Sequence, residues 1–238
     1  MTASRGAAGA RKPLVRAGAP ALTRQAEDYL KAIYELERRG VPAGTNDIAE
    51  ALGIAAPSAS GMIRRLARLG LVTVERYRGS RLSARGRQIA LRLLRRHRVI
   101  ESFLVTKLGF GWDDVHDEAE RLEHAASDDL VERMATALGH PTADPHGAPI
   151  PTAAGRVDER RLSSIADLPA RAPARVVRVS DHDPEFLRYL GERGIRPGAT
   201  VRVESREPFG GLLTLTVGRE RRTVGTAAAS RVYVEPRR

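Results

Sequence analysis

Between residues 23 and 139 the apolar positions recur at helical spacing, and beyond residue 174 they alternate as strands do. The pattern therefore predicts a mainly α chain that ends in a small β domain. Thr23 stands as the N-cap of a helix reaching Arg39, with Tyr29, Leu30, Ile33, Tyr34 and Leu36 on its apolar stripe and Gly40 as its stop. A short helix over Thr45–Leu52 follows, and Pro57 suits the first turn of a third helix that turns Met62, Ile63, Leu66 and Leu69 inward. Leu71, Val72 and Val74, the turn Arg78-Gly79-Ser80 and the return at Leu82 predict a hairpin.

Ser83 caps a long helix over Ala84–Leu108, and two shorter helices are expected over Asp113–Ala126 and Asp128–Leu138. Residues 139–173 hold six prolines and little periodicity, which reads as a linker ordered only in part against the core. The segments ARVVRVS, PEFLRYLGERG, ATVRVESRE, GLLTLTVG and SRVYVEP then predict a small barrel of the SH3-like type. The implied organisation is a basic tail over 1–22, a winged helix over 23–83, a helical domain over 84–139, the linker over 140–173 and the barrel over 174–238.

Charge sharpens this picture. The formal net charge is +11, but its placement is more telling than its size. Ser58 to Arg87 holds eight arginines and one acid, Glu75, whereas residues 100–139 are acidic. Three helices and a hairpin with arginines on the third helix and the hairpin describe a winged helix-turn-helix, a reader of double-stranded DNA. Pro57, Ser58, Ser60 and Gly61 form the narrow leading end of the recognition helix, and Arg64 and Arg65 follow to meet phosphates or bases. Thr45 at the start of the second helix and Arg76 and Arg78 at the hairpin tip complete the expected interface. The tail residues Arg5, Arg11, Lys12 and Arg16 add positive charge without periodicity.

Composition excludes several classes. With no cysteine there are no disulfides, thiolate metal sites or cysteine nucleophiles. No apolar run is long enough to span a membrane, and the basic N-terminus lacks the apolar stretch of a secretory signal, so a cytoplasmic protein without a membrane partner is expected.

The acidic half carries a second constellation. In VHDEAERLEHAASDDL, residues His116, Glu120, Glu123 and His124 share one helical face, and His97 and Glu101 lie one turn apart on the long helix. Asp28 sits beside the apolar stripe of the first helix. Ionisable groups crowded on a face bordered by apolar residues need neutralisation, which a divalent cation provides. Carboxylates with imidazole and no sulfur suit Mn²⁺ or Fe²⁺, while other divalent metals could bind in vitro. A metallohydrolase would use similar ligands and is the alternative from another class.

These stretches, together with EDYLKAIYELERRG, NDIAEALGIAAPSASGMIRRLARLG, VERYRGSRLSARG and RRHRVIESFL, resemble the diphtheria toxin repressor family of iron- and manganese-dependent regulators. The resemblance is close over residues 23–139 and looser through LRYLGERGIRPGATV in the SH3-like, FeoA-like end. It implies a primary site of Asp28, Glu120, Glu123 and His124 and an ancillary site of His97, Glu101 and His116. Asp28 and Glu120 stand where iron-type members carry methionine and cysteine, which implies the manganese-type branch, with an iron(II)-dependent repressor as the alternative. Lys31 stands where some manganese regulators place a second bridging glutamate, so two separated sites are expected rather than a metal pair.

The resemblance also implies a further ancillary ligand from the C-terminal domain. Asp181, Asp183 and Glu185 are the candidates, and Asp183 is carried forward. The implied function is a homodimeric, metal-activated repressor of palindromic operators in metal-ion homeostasis, without enzymatic activity. Ile100, Phe103, Leu104 and Trp112 are the expected dimer contributors. One ion shared by Asp28 and the Glu120–His124 segment would tie the DNA-binding and helical domains together. Without it four mutually repelling or unsatisfied groups are expected to leave the reading heads mobile.

Overall fold

The computed structural model describes residues 22–41, 43–75, 78–181 and 183–237. The basic tail through residue 21 lies outside the described residues, as do Arg76 and Tyr77 of the hairpin tip. Three cores organise what remains.

The first core gathers α1 (Arg24–Arg38), α2 (Thr45–Ala51), α3 (Ala56–Arg68), the strands β1 (Val72–Glu75) and β2 (Gly79–Leu82), and the start of α4 (Ala84–Leu108). Thr23 caps α1 by accepting from the Ala26 amide, and Ser83 caps α4 by accepting from Gly86. Tyr29, Leu30, Ile33 and Tyr34 of α1 are almost fully buried, with Leu30 and Ile33 each contributing about 1.5–3 kcal/mol of hydrophobic stabilisation. Glu37, near the other end of α1, accepts from the Leu82 amide at 2.9 Å and so fastens α1 to the hairpin. Gly79 has φ +80°, and a Cβ there would lie 2.8 Å from the Ala43 carbonyl oxygen, so only glycine lets the hairpin close on the chain before α2. Leu69, expected to point inward, stays 38% exposed because α3 ends at Arg68 and the chain turns at Gly70.

The second core lies between α4, α5 (Val115–Glu123) and α6 (Asp128–Ala137), and includes Ile150 from the segment read as linker. Of the expected dimer contributors, Ile100 and Leu104 are spent inside this core and only Phe103 remains half-buried. Trp112 is likewise unavailable, because it packs into the C-terminal core. The apolar side chains this region does expose are Leu108, Phe110, Leu122 and Leu130.

The third core fills the C-terminal sheet, whose strands run in the order β3 (Ser163–Ser164), β8 (Val232–Pro236), β4 (Pro173–Val179), β5 (Thr200–Arg206), β6 (Leu212–Val217) and β7 (Glu220–Gly225), all antiparallel. Bulges in β4 and β5 curl the sheet around that core, which α7 (Pro184–Glu192) also enters with Phe186, Leu187 and Leu190. A short α8 (Thr226–Ala229) links β7 to β8. The mainly α architecture with a small SH3-like β domain is as expected, except that the sequence pattern revealed neither β3, which lies in the stretch read as linker and whose neighbours Ile165 and Leu168 join the C-terminal core, nor β7. For β7 the reason is plain. Its residues, ERRTVG, form an edge strand paired only with β6 and bury only Val224.

Candidate metal centre and nucleic-acid interface

Asp28 of α1 meets Glu120 and Glu123 of α5 and His124 at its C-cap, with one potential ligand atom from each lying within 4.8 Å of the others. His124 Nε2 stands 3.4 Å from Asp28 Oδ1 and 3.3 Å from Glu123 Oε1. Both His124 Nε2 and Asp28 Oδ1 are buried without a hydrogen-bond partner among the described residues. Glu27 explains why Nε2 faces inward, since its carboxylate takes the other ring nitrogen, Nδ1, at 2.8 Å. Sequence reading passed over Glu27, whose only signal was its place beside Asp28.

Lys31 alters the expected electrostatics. Its ammonium lies 2.7 Å from Glu120 Oε1 and 2.7 Å from Glu123 Oε1. The acids of this group are therefore partly neutralised by the chain itself, contrary to the expectation of mutually repelling ligands. Burial acts to lower the Lys31 pKa, but Glu123 and Glu120 outweigh it and raise it. Burial pushes the Asp28 carboxyl up, against the pull of Lys31 and His124. Burial also opposes ionisation of Glu123, yet hydrogen bonding from His97 and the Lys31 charge bring it down to about 2.

The second group lies along α4 and the start of α5. His97 Nε2 is 3.0 Å from Glu101 Oε1 and 3.2 Å from His116 Nδ1, and His116 Nδ1 is 3.2 Å from that same oxygen. Ligand atoms ~2.0–2.2 Å from a small divalent ion stand ~3 Å apart at a right angle, so this near-equilateral triangle fits one face of such a shell. His97 Nδ1 meanwhile pairs with Glu123 Oε2 at 2.7 Å, joining this group to the first. Burial disfavours charge on His97, but Glu101 and the hydrogen bonds to Glu101 and Glu123 push its pKa up to about 10.

Asp183 does not join this group. It caps α7 by accepting from the Phe186 amide at 3.0 Å and pairs with Arg231 at 3.2 Å, a use that its place before Pro184 favours. The C-terminal acid whose charge acts on His116, Arg98 and Asp144 is Asp181. Two further buried ionisable side chains sit in the segment read as linker: Asp144 and His146 lie beside Glu101. Their Asp-Pro-His spacing was the only sequence signal, and it lay within a proline-rich run.

On the predicted DNA face, Pro57, Ser58, Gly61, Arg64 and Arg65 are exposed on α3, while Ala59, Ile63 and Leu66 fill the core and Ser60 is half-buried. The first turn of α3 has no side-chain cap and no acid, so the helix dipole presents positive potential outward, although Pro57 has no amide hydrogen and the Ser58 and Ala59 amides donate to the Ala55 carbonyl. Arg78 is exposed at the hairpin, Thr45 is half-buried at the start of α2, and Arg76 lies outside the described residues.

Comparison with known proteins agrees with this arrangement. The iron dependent repressor N-terminal DNA binding domain matches residues 21–80, and the iron dependent repressor metal binding and dimerisation domain matches 83–152. The iron-dependent repressor IdeR of Mycobacterium tuberculosis is 36% identical over 224 residues, covering 88% of this chain and 96% of the relative. The chain belongs to the diphtheria toxin repressor family. It is a divalent-metal-dependent transcriptional repressor rather than an enzyme, which removes the metallohydrolase alternative.

A FeoA domain matches residues 164–236 of the repressor. Among solved structures, a manganese-dependent transcriptional repressor in complex with manganese superposes with TM-score 0.84 at 39% identity, covering 89% of this chain and 99% of that one. The manganese regulator SloR superposes with TM-score 0.76 at 34% identity, covering 89% and 98%. No helix among the described residues is long and apolar enough to cross a membrane.

Proposed function

We propose that this repressor is activated by manganese(II), binds palindromic operator DNA as a homodimer in the cytoplasm, and governs metal-ion homeostasis. The observation that carries the reading is the meeting of Asp28 with Glu120, Glu123 and His124, oxygen-rich, sulfur-free and holding two unpartnered buried ligand atoms. That donor set fits a hard or borderline divalent ion better than a soft one. The manganese complex of the structural relative supports the same choice. IdeR, an iron-dependent repressor by name, supports Fe²⁺ as the second reading.

A bound divalent ion supplies concentrated positive charge and a fixed coordination geometry. The rest follows from where the ligands sit. Asp28 belongs to α1, which holds the hairpin through Glu37, whereas Glu120, Glu123 and His124 belong to the α5 segment. Drawing the four side chains to one point would fix α1, and with it α3 and the hairpin, relative to the helical domain. Two such units in a dimer would present their recognition helices roughly 34 Å apart, one turn of DNA. His97, Glu101 and His116 are proposed as the ancillary ligands, with Asp181 as the C-terminal contributor.

Selection of duplexes from a random pool, with Mn²⁺, with anaerobic Fe²⁺ and with chelator, tests the reading. A palindrome enriched by Mn²⁺ at lower free concentration than Fe²⁺ is expected, and Asp28→Ala should lose it while remaining dimeric. Equal enrichment with chelator would refute metal activation, and stronger enrichment with Fe²⁺ would favour the second reading.

A further inference from the structure

We propose that the stretch from Ile150 to Ile165 is a strap that holds the DNA-binding unit to the C-terminal domain, with Glu159 as its positioning residue. Its apolar side chains enter three different cores in turn. Ile150 joins the second core, Val157 packs against the first and Ile165 lies in the third. A plain tether meets only the two bodies it joins. This stretch leaves the helical domain, crosses onto the DNA-binding unit and only then enters the C-terminal sheet.

Glu159 turns that crossing into a fastening. The Tyr34 hydroxyl donates to Glu159 Oε1 at 3.0 Å, and the same oxygen accepts from Arg87 Nη2. Tyr34 is 1% exposed, and a buried donor left unmet is costly. Burial and the bond to Glu159 push the Tyr34 hydroxyl well above its ordinary range, so it stays a donor. The Arg87 guanidinium lies 5.1 Å from the centre of the Tyr34 ring, and its Nη1 stands 3.9 Å from Glu37 Oε2. The other oxygen of Glu37 takes the Leu82 amide of the hairpin. Glu159, Arg87 and Glu37 thus form a row of alternating charge from the strap to the wing. Arg87 and Glu159 are partly exposed, so their ion pair is screened and weak alone. The firm holds are the buried hydroxyl and Val157.

On the C-terminal side the chain has little slack. Arg160 Nη1 pairs with Glu235 Oε1 of β8 at 2.8 Å, and Ser163 of β3 then pairs with Val234 of the same strand. From Glu159 to Ser163 even a fully extended chain reaches at most ~14 Å. Glu159 denies this slack to the DNA-binding unit. None of the proposed metal ligands lies in the strap, so it restrains α1 and the hairpin in the metal-free chain too.

The absence of cysteine allows a direct test. Glu50→Cys on α2 and Thr223→Cys on β7, both at exposed positions, take spin labels, and dilution with unlabelled chain isolates pairs within one chain. Without metal or DNA, pulsed dipolar spectroscopy should give one narrow distance distribution. Glu159→Ala should lose it to a broad one, and Glu159→Gln, whose amide oxygen still accepts, should keep it. Hydrogen exchange across the hairpin should quicken roughly 3- to 10-fold in Glu159→Ala, about the effect of one hydrogen bond, while the C-terminal core stays unchanged. A broad distribution in the labelled parent, an unchanged width in Glu159→Ala, or unchanged hairpin exchange would overturn the proposal. Quickening spread over the whole chain would do the same, since it reports general destabilisation. Should Glu159→Ala fail to fold, Tyr34→Phe, which removes only the hydroxyl, takes its place under the same criteria. The measurement uses no metal and no DNA, so it reads the strap whichever ion activates the repressor.

Discussion

Lys31→Gln offers the sharpest perturbation of the primary cluster. The Lys31 ammonium occupies the approach to Glu120 and Glu123, 2.7 Å from an oxygen of each. An ion bound by those same oxygens would lie ~4 Å from it, where two unit charges interact by ~1 kcal/mol in water and ~4 kcal/mol at an effective dielectric of ~20. Doubled for a divalent ion, the repulsion is ~2–8 kcal/mol, so the lysine must swing away and surrender its carboxylate contacts. Each such charge-assisted hydrogen bond contributes ~1.5–3 kcal/mol, and its loss is charged against metal affinity. Part of that cost vanishes in the glutamine variant, which should bind Mn²⁺ about 10- to 100-fold more tightly, equivalent to ~1.4–2.8 kcal/mol.

The same substitution should harm the metal-free fold. Glu123 is buried and would lose its ammonium, so the metal-free variant should lose ~1–3 kcal/mol and melt at lower temperature. Calorimetric titration gives the first quantity and thermal denaturation in chelator gives the second. Opposite movement of the two is the signature of an internal cation that competes with metal. Unchanged affinity with an unchanged melting temperature would refute the reasoning.

Three other outcomes are expected. Because the His97 pKa is pushed up to about 10 in the metal-free chain, its imidazolium must lose a proton to coordinate, so Mn²⁺ affinity at the ancillary group should rise with pH between 7 and 9. The raised value also means that His97 stabilises the metal-free fold fully below the ordinary imidazole range and loses that contribution as pH rises through about 10. Titrations in buffers of different ionisation heat should count close to one proton released, and zero would sink the argument. Glu27→Ala removes the carboxylate that orients His124 and should weaken Mn²⁺ binding about 10- to 100-fold, with partial rescue by Glu27→Gln; equal affinity in all three proteins would mean His124 is held some other way. Arg64→Ala and Arg65→Ala should each reduce the salt dependence of operator binding by about one counterion if the side chain meets a phosphate, whereas exposed Arg133 on α6 serves as the control that should change nothing.

The helices were legible because local signals and burial agree. Thr23, Ser83, Gly40 and Gly70 bound the same stripes that fill the cores. The primary cluster was legible only in part: Glu120, Glu123 and His124 share one helical face with His116, but their grouping with Asp28 across two helices came from the family resemblance and not from the spacing. Lys31 was seen as a bar to a second ion, but its bridge between two glutamates requires α1 and α5 to be in place. Asp144 and His146 escaped notice because their burial comes from the packing of an irregular segment against α4 and β4, which leaves no period in the sequence. Trp112 misled for the same reason, since its position after α4 does not reveal which core receives it.

The three clusters are linked through side chains that serve two of them at once. Glu123 gives Oε1 to the group around Asp28 and Oε2 to His97, and Glu101 gives Oε1 to His97 and His116 while Oε2 faces His146. In the metal-free chain His97 can donate to both glutamates, which requires both ring protons. On the proposed reading, coordination through His97 Nε2 removes one proton and keeps the Nδ1–H donor on Glu123. Filling the ancillary group would thus preserve the orientation of a primary ligand while shedding a positive charge 2.7 Å from it. Were each group to hold an ion, such sharing would make the sites thermodynamically coupled, and coupling is reciprocal, typically ~1–3 kcal/mol. An ion that touches no part of the DNA-binding unit could then bias how firmly Asp28 is held. The C-terminal domain, reaching the line through His146 and Asp181, would enter the same balance from its far end.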